Sequence, residues 1–165
     1  MTSEHLLHTI PPIYDGNSKI LILGSFPSVK SREVSFYYGH PQNRFWRVLA
    51  AVLGCAVPSS NEEKTVLLQS HNIALWDVIK SCDIVGSSDS SIKNVVPNDI
   101  GVILSSCGIR QIYSNGKTSE KLFNKYIKDT VGRDTVALPS TSPANASYNL
   151  ERLTDSWSVI KNNIR

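Results

Sequence analysis

The sequence predicts an α/β fold, a four-stranded parallel sheet with helices on both faces. Three observations carry this expectation. Short apolar runs bounded by turn residues recur along the chain, as strands buried on both faces do. Between them lie longer segments with apolar residues at helical spacing. Strict alternation of the two kinds of segment is what parallel strands joined by helical crossovers require. No internal repeat or interdomain linker breaks the pattern, and 165 residues suit one domain spanning 1–165.

Taken in order, the first strand is Lys19–Leu23 (KILIL). Upstream of it, His5 and His8 stand at helical spacing near a terminus expected to be mobile. Arg44–Leu53 reads as a helix, with Phe45, Val48, Leu49 and Val52 on one face and Gly54 as a natural stop. Glu62–Ser70 is a second helix, and Asn72–Trp76 (NIALW) the second strand. Gly86–Ser91 has the composition of a surface loop. Ile100–Ser106 reads as a helix between Pro97-Asn98-Asp99 and Gly108, although a strand is also compatible. Gln111–Ser114 is the third strand, Ser119–Lys128 a helix and Thr135–Leu138 the fourth strand. Tyr148–Asn162 closes the chain with Leu150, Leu153, Trp157 and Ile160 on one stripe.

Composition narrows the function. Hydrophobic residues at 41% and charged residues at 19% describe a globular chain rather than a disordered one. No apolar run approaches the length that spans a bilayer, and the N-terminus lacks a signal peptide's basic start and apolar block. Three scattered cysteines (Cys55, Cys82 and Cys107) form no CxxC pair, which favours a reducing, cytoplasmic setting and no metal site. The net charge of +3 is unevenly spread. Residues 30–60 hold Lys30, Arg32, Arg44 and Arg47 against Glu33, and residues 100–133 hold six basic residues against two acids. Residues 61–99, by contrast, hold three lysines against six acids. Two basic blocks on one face would attract a polyanion; the plain alternative for Lys121, Lys125 and Lys128 is a solvated helix face.

In open parallel sheets ligands bind beyond the carboxyl ends of the strands. That rule selects the loops Gly24–His40, Asp77–Ser91, Asn115–Thr118 and Pro139–Asn145. The first begins Gly24-Ser25-Phe26-Pro27-Ser28 and continues Tyr37-Tyr38-Gly39-His40-Pro41-Gln42-Asn43-Arg44-Phe45-Trp46. The last reads Pro139-Ser140-Thr141-Ser142-Pro143-Ala144-Asn145. Neither is a Walker loop, a GxGxxG turn or a GxSxG elbow. Both are polar, proline-stiffened loops able to aim N–H groups and hydroxyls at an anion such as a DNA phosphate.

These two motifs, with the ALWDVIKSC and YSNGK segments between them, resemble the uracil-DNA glycosylase superfamily, and within it the branch of hypoxanthine-DNA (deoxyinosine) glycosylases. The HPxNRFW stretch is also similar to mismatch-specific uracil/thymine glycosylases. The resemblance implies a three-layer α/β/α sandwich around a four-stranded parallel sheet. It implies excision of a deaminated base that is flipped out of DNA, by hydrolysis of its N-glycosidic bond, with no cofactor. It implies a monomer whose partner is DNA containing such a base.

The resemblance also assigns residues. Where the classical uracil enzymes carry an aspartate in the first motif and the mismatch enzymes an asparagine, this chain has Phe26. The resembling catalytic position is then Asn43, whose amide can hold a water; as plain structure, Asn43 is a helix cap. Asn115 matches the residue that recognises the base, and as plain structure it is an Asn-Gly turn. Asp77 is the carboxylate nearest the strand ends, able to assist the water or a cationic sugar, and otherwise a helix cap. The expected base pocket is Gly24, Ser25, Phe26, Pro27, Tyr38 and Trp76, with Phe26 and Tyr38 as stacking candidates. The expected DNA contacts are Ser28, Lys117 and the run Pro139, Ser140, Thr141, Ser142, Pro143, Ala144 and Asn145. Most relatives place a histidine near the start of that last loop; this chain has Ser or Thr. No lysine other than Lys30 lies in either motif, so hydrolysis rather than a lyase step is expected. The alternatives are a uracil/thymine mismatch enzyme and a non-catalytic nucleic-acid-binding module on the same fold.

Overall fold

The computed structural model describes residues 2–86 and 88–165. Its centre is a four-stranded parallel sheet of β2 (Ile20–Gly24), β3 (Ile73–Asp77), β6 (Gln111–Asn115) and β7 (Thr135–Leu138), in the order β3-β2-β6-β7. All four expected strands are present, each within one residue of its predicted limits. Successive side chains of a strand face opposite sides, so Ile20 and Ile22 enter one core and Leu21 and Leu23 the other. A run that must bury both faces cannot alternate with polar residues, which is why ILIL is continuous.

The first face is covered by α2 (Phe45–Leu53), α3 (Asn61–Ser70) and α7 (Leu150–Trp157), through Phe45, Leu49, Leu68, Leu153 and Trp157. The predicted signals end these helices: Gly54 adopts φ 70° after α2, Ser60 and Glu63 form a reciprocal capping box at α3, and Asn149 caps α7 through Arg152 N. A 3-10 segment, Ser158–Asn162, continues α7, so the stripe Leu153, Trp157 and Ile160 is buried as expected while Leu150 is exposed. The other face is covered by α4 (Gly101–Ser106) and α5 (Lys117–Tyr126), extended by the short α6 (Lys128–Val131). The segment 100–106 is thus a helix, and the helix expected from Ser119 begins two residues earlier.

The sequence did not disclose a second sheet on that face. β1 (Glu4–Leu7), β4 (Ile79–Ile84) and β5 (Lys93–Pro97) form an antiparallel sheet in the order β1-β4-β5. The expected loop Asp77–Ser91 therefore contains a strand, β4. Register irregularities between Ile79, Ser81 and Asp83 break the two-residue period that would have announced it. The terminus carrying His5 and His8 is likewise an ordered strand and its extension, not a mobile helix-like segment. Within the expected loop Gly24–His40 lies another unforeseen element, α1 (Val29–Val34), capped by the Ser28 side chain. Gly86–Ser91 carries a 3-10 turn at Asp89–Ser91, and Ser87 falls outside the described residues. Among the described residues no helix is long and apolar enough to cross a membrane.

Candidate active site

Strand order reverses between β2 and β6: the chain passes from β2 to β3 on one side and to β6 and β7 on the other. The crevice beyond the carboxyl ends at such a point is where an open parallel sheet binds its ligand. A cleft of about 670 Å³ lies there, lined by the ends of β2, β3 and β6 and by the loops that follow β2 and β7. Every expected site residue lines it except two. Trp76 is turned into the packing around His8, and Pro139 serves the core through its carbonyl, which accepts from Trp157 Nε1 at 2.9 Å.

One wall is a closed chain of hydrogen bonds whose directions are fixed by a backbone group at each end. Asn43 Oδ1 accepts from Phe45 N at 2.9 Å, so the amide oxygen of Asn43 is identified. Asn115 Oδ1 accepts from Thr141 N at 3.0 Å, so Asn115 Nδ2 donates to Thr141 Oγ1, also at 3.0 Å. The Thr141 hydroxyl, already an acceptor, spends its proton on Asn43 Oδ1 at 2.9 Å. Asn43 therefore does cap the first turn of α2, yet it also faces the cleft, where only its N–H groups remain to be used. Asn115 likewise combines turn and site: Gly116 follows at φ 94°, and a Cβ there would stand 3.0 Å from Ser140 Cβ. Glycine thus lets the loop after β7 settle against the end of β6.

Thr141 is fully buried, so the structure moves it from an expected DNA contact to the joint between the two asparagines. Its neighbours Pro143 and Ala144 are exposed and free to reach outward. The loop is clamped by Arg44, whose guanidinium donates to the carbonyls of Ser142 at 2.8 Å, Asn145 at 3.1 Å and Tyr148. The Arg44 backbone N–H adds a bond to Thr141 O at 3.0 Å. The sequence places Arg44 in a basic block, a motif and a helix start, but not as a clamp, which joins residues about a hundred positions apart and leaves no local signal.

The opposite wall is built from Gly24, Tyr38 and Asp77. Gly24 pairs with Asp77 at the ends of β2 and β3. A Cβ on Gly24 would stand 2.4 Å from Asp77 Oδ1 and 2.9 Å from the Tyr38 hydroxyl, so only glycine leaves room for both. Tyr38 takes the left-handed conformation at φ 53°, and its ring stacks on Phe45 with centroids 4.2 Å apart. One ring face is therefore already covered, which narrows the stacking role expected for it. Burial, and next the charge of Asp77, push the Tyr38 hydroxyl far above its ordinary range, so it stays protonated; the nearby Asn115 amide opposes the rise from outside hydrogen-bonding geometry.

Asp77 is not a helix cap. Its Oδ2 lies 2.8 Å from His8 Nε2, and the two side chains are 5% and 2% exposed. The His8 ring is boxed by Phe26, Tyr37 and Trp76, with centroids 6.0, 6.0 and 6.5 Å away. No local pattern points to this partner, which stands just after β1, 69 positions upstream.

Residues 11–162 match the family model of the uracil DNA glycosylase superfamily. The chain belongs to the uracil DNA glycosylase superfamily. Curated relatives share its length as well as its sequence. The protein named hypoxanthine DNA glycosylase in Methanosarcina barkeri is 36% identical over 137 residues, covering 82% of this chain and 85% of its own. The protein of the same name in Methanosarcina acetivorans is 34% identical over 152 residues, covering 91% and 94%. A solution NMR structure from M. acetivorans, provisionally named a uracil DNA glycosylase, superposes with a TM-score of 0.78 at 33% identity, covering 92% of this chain and 94% of that one. Membership makes the chain a DNA-acting glycosylase. The three-layer arrangement, helices on either side of a four-stranded parallel sheet, is the fold expected of it.

Proposed function

We propose that this chain, acting as one domain over residues 1–165, excises hypoxanthine from DNA by hydrolysing its N-glycosidic bond. The observation that carries the reading is the Asn43–Thr141–Asn115 chain, which presents amide N–H groups to the cleft while each of its amide oxygens is already engaged. Donors of that kind suit a base that gains negative charge as it departs. In the reaction a water oxygen bonds to the anomeric carbon as the bond to the base breaks. The electron pair goes to the base, and one water proton ends on it. Asn43 N–H can hold the water through a lone pair, or meet the leaving base; it cannot deprotonate anything. The remaining Asn115 N–H serves the base.

The other expected residues take supporting roles in this proposal. Ser25, Phe26 and Pro27 shape the pocket, and Phe26 offers a ring to the extruded base. Ser28, Ser140, Ser142 and Asn145 grip the backbone, Pro143 and Ala144 fill the gap in the duplex, and the exposed Lys117 meets phosphate. A monomer in a cytoplasmic setting completes the reading. The names of the relatives favour hypoxanthine over uracil or mismatched thymine. Single-turnover assays with enzyme in excess, on matched duplexes carrying inosine, uracil, xanthosine or mismatched thymine, test it. Release of hypoxanthine ahead of the other bases is expected. Release of uracil alone would keep the superfamily and overturn the base, and binding without cleavage of any duplex would overturn the chemistry.

A further inference from the structure

We propose that Asp77 and Tyr38, with Asp77 oriented by His8, read the lactam edge of the flipped base, so that His8 acts as a positioning residue for base selection. This rests on the reading above and names what that site selects. Asp77 Oδ2 is taken by His8, while Oδ1 has no hydrogen-bond partner among the described residues and stands over Gly24 at the cleft. Beside it, the Tyr38 hydroxyl is buried without a hydrogen-bond partner among the described residues. A buried polar group left unsatisfied is costly and demands an explanation. Here one such group, the Tyr38 phenol whose proton is held by burial, sits beside a carboxylate oxygen that faces the cleft and accepts only.

That pair is the complement of a lactam. Deamination converts an amidine edge, with a ring nitrogen acceptor beside an amine donor, into a ring N–H beside a keto oxygen. Asp77 Oδ1 accepts the ring N–H, and Tyr38 donates to the keto oxygen. Adenine presents a ring nitrogen lone pair to the carboxylate and is repelled. Depth favours this role over water activation. In a flipped purine the sugar stays at the cleft mouth, while the lactam edge, on the far side of the base from the glycosidic bond, reaches the floor. The 5% exposure of Asp77 places it at the floor. Asn43 Oδ1 already holds two donors and Asn115 Oδ1 already accepts from Thr141 N, which leaves Asp77 Oδ1 as the acceptor with no donor among the described residues. His8 matters because its N–H fixes which oxygen faces the base.

The test compares inosine with 1-deazainosine, which replaces the ring N–H by C–H without changing shape, in single-turnover cleavage. The quantity read is the inosine to 1-deazainosine ratio for each protein relative to wild type, so that differences in leaving-group chemistry cancel. Asp77→Asn should lower that ratio on the order of 10²-fold, as loss of a charge-assisted bond implies. His8 claims the amide oxygen of the variant and turns its NH2 toward the base, so relative tolerance of adenine should rise. His8→Ala should lower the ratio and His8→Gln, which keeps an N–H donor, should restore it; a merely structural His8 would slow both substrates alike. An Asp77→Asn ratio equal to that of wild type overturns the proposal. If Asp77→Asn does not fold, Tyr38→Phe, which keeps the stack on Phe45, decides: about tenfold slower inosine cleavage supports it, and no change refutes it. Wild-type protein that leaves inosine uncleaved sinks the glycosylase reading instead, a distinct outcome.

Discussion

The two walls of the cleft differ in what their polar atoms are doing. On the wall made by β6 and the loop after β7, Asn43, Thr141 and Asn115 are occupied with one another. On the wall made by β2 and β3, Asp77 Oδ1 and the Tyr38 hydroxyl have no partner among the described residues. Each wall combines a buried side chain, Thr141 or Asp77, with half-buried ones, Asn43 and Asn115 or Tyr38, so burial does not separate them. The difference lies in satisfaction. A fully connected network is rigid and fixes where its leftover N–H groups point. Unsatisfied buried groups store a cost that a complementary ligand can remove. One wall is built to hold geometry and the other to recognise.

Breaking the connected wall at its cleft-facing member should have the largest effect. Asn43→Ala is expected to reduce single-turnover cleavage of an inosine duplex by about 10²–10³-fold, the scale of losing one stabilising donor. It should also lower stability by about 1 kcal/mol through loss of the cap on Phe45 N. Stability loss large enough to account for the activity would make Asn43 a cap alone. Next comes the recognising wall. In Gly24→Ala the new Cβ meets Asp77 Oδ1 at 2.4 Å and Tyr38 OH at 2.9 Å, so both must shift. Cleavage should fall by about 10²-fold, with a loss of about 1–3 kcal/mol in urea unfolding. If cleavage survives intact, the Gly24 wall does not contact the base.

Thr141→Val sharpens the contrast, because it keeps volume and removes only the joint. Asn115 Nδ2 loses its acceptor and Asn43 Oδ1 loses a donor. A stability loss of about 1–3 kcal/mol is expected, with about tenfold slower cleavage. The same substitution should leave the ratio of inosine to 1-deazainosine unchanged, since that ratio belongs to the other wall. The smallest effect is expected away from both walls, at the α3 capping box. Hydrogen bonds from the Ser59 side chain, and then from the backbone N–H groups of Ser59 and Ser60, hold the Glu63 carboxyl below its usual range. A carboxyl depressed in the folded state contributes stability that is present above its unfolded pKa and is lost as pH falls through the folded one. The melting temperature of Glu63→Gln should therefore sit about a degree below wild type at neutral pH and converge with it in acid, while cleavage is unchanged.

Much of this was legible before any coordinates. The strand ends Gly24, Asp77 and Asn115 follow from where apolar runs stop, and the fold places strand ends together. The Gly54 stop and the buried stripes of α2 and α7 are local patterns of the same kind. The antiparallel sheet was not legible, because bulges in β4 spoil its alternation and because β1 and β5 are short and exposed on much of their length. Thr141 read as a surface hydroxyl in a polar loop, and nothing in its neighbours says that it is buried.

The sequence by itself determined the four parallel strands, the stop of α2, the family and most of the residues that reach the cleft, since each is written in spacing or in a contiguous motif. Tertiary structure alone decided what those residues are free to do. Thr141 meets Asn43 across 98 positions, and His8 meets Asp77 across 69. Such contacts depend on how the sheet and its loops close in space, and an isolated Asn or Asp looks the same in sequence whether its hydrogen bonds are spent or waiting.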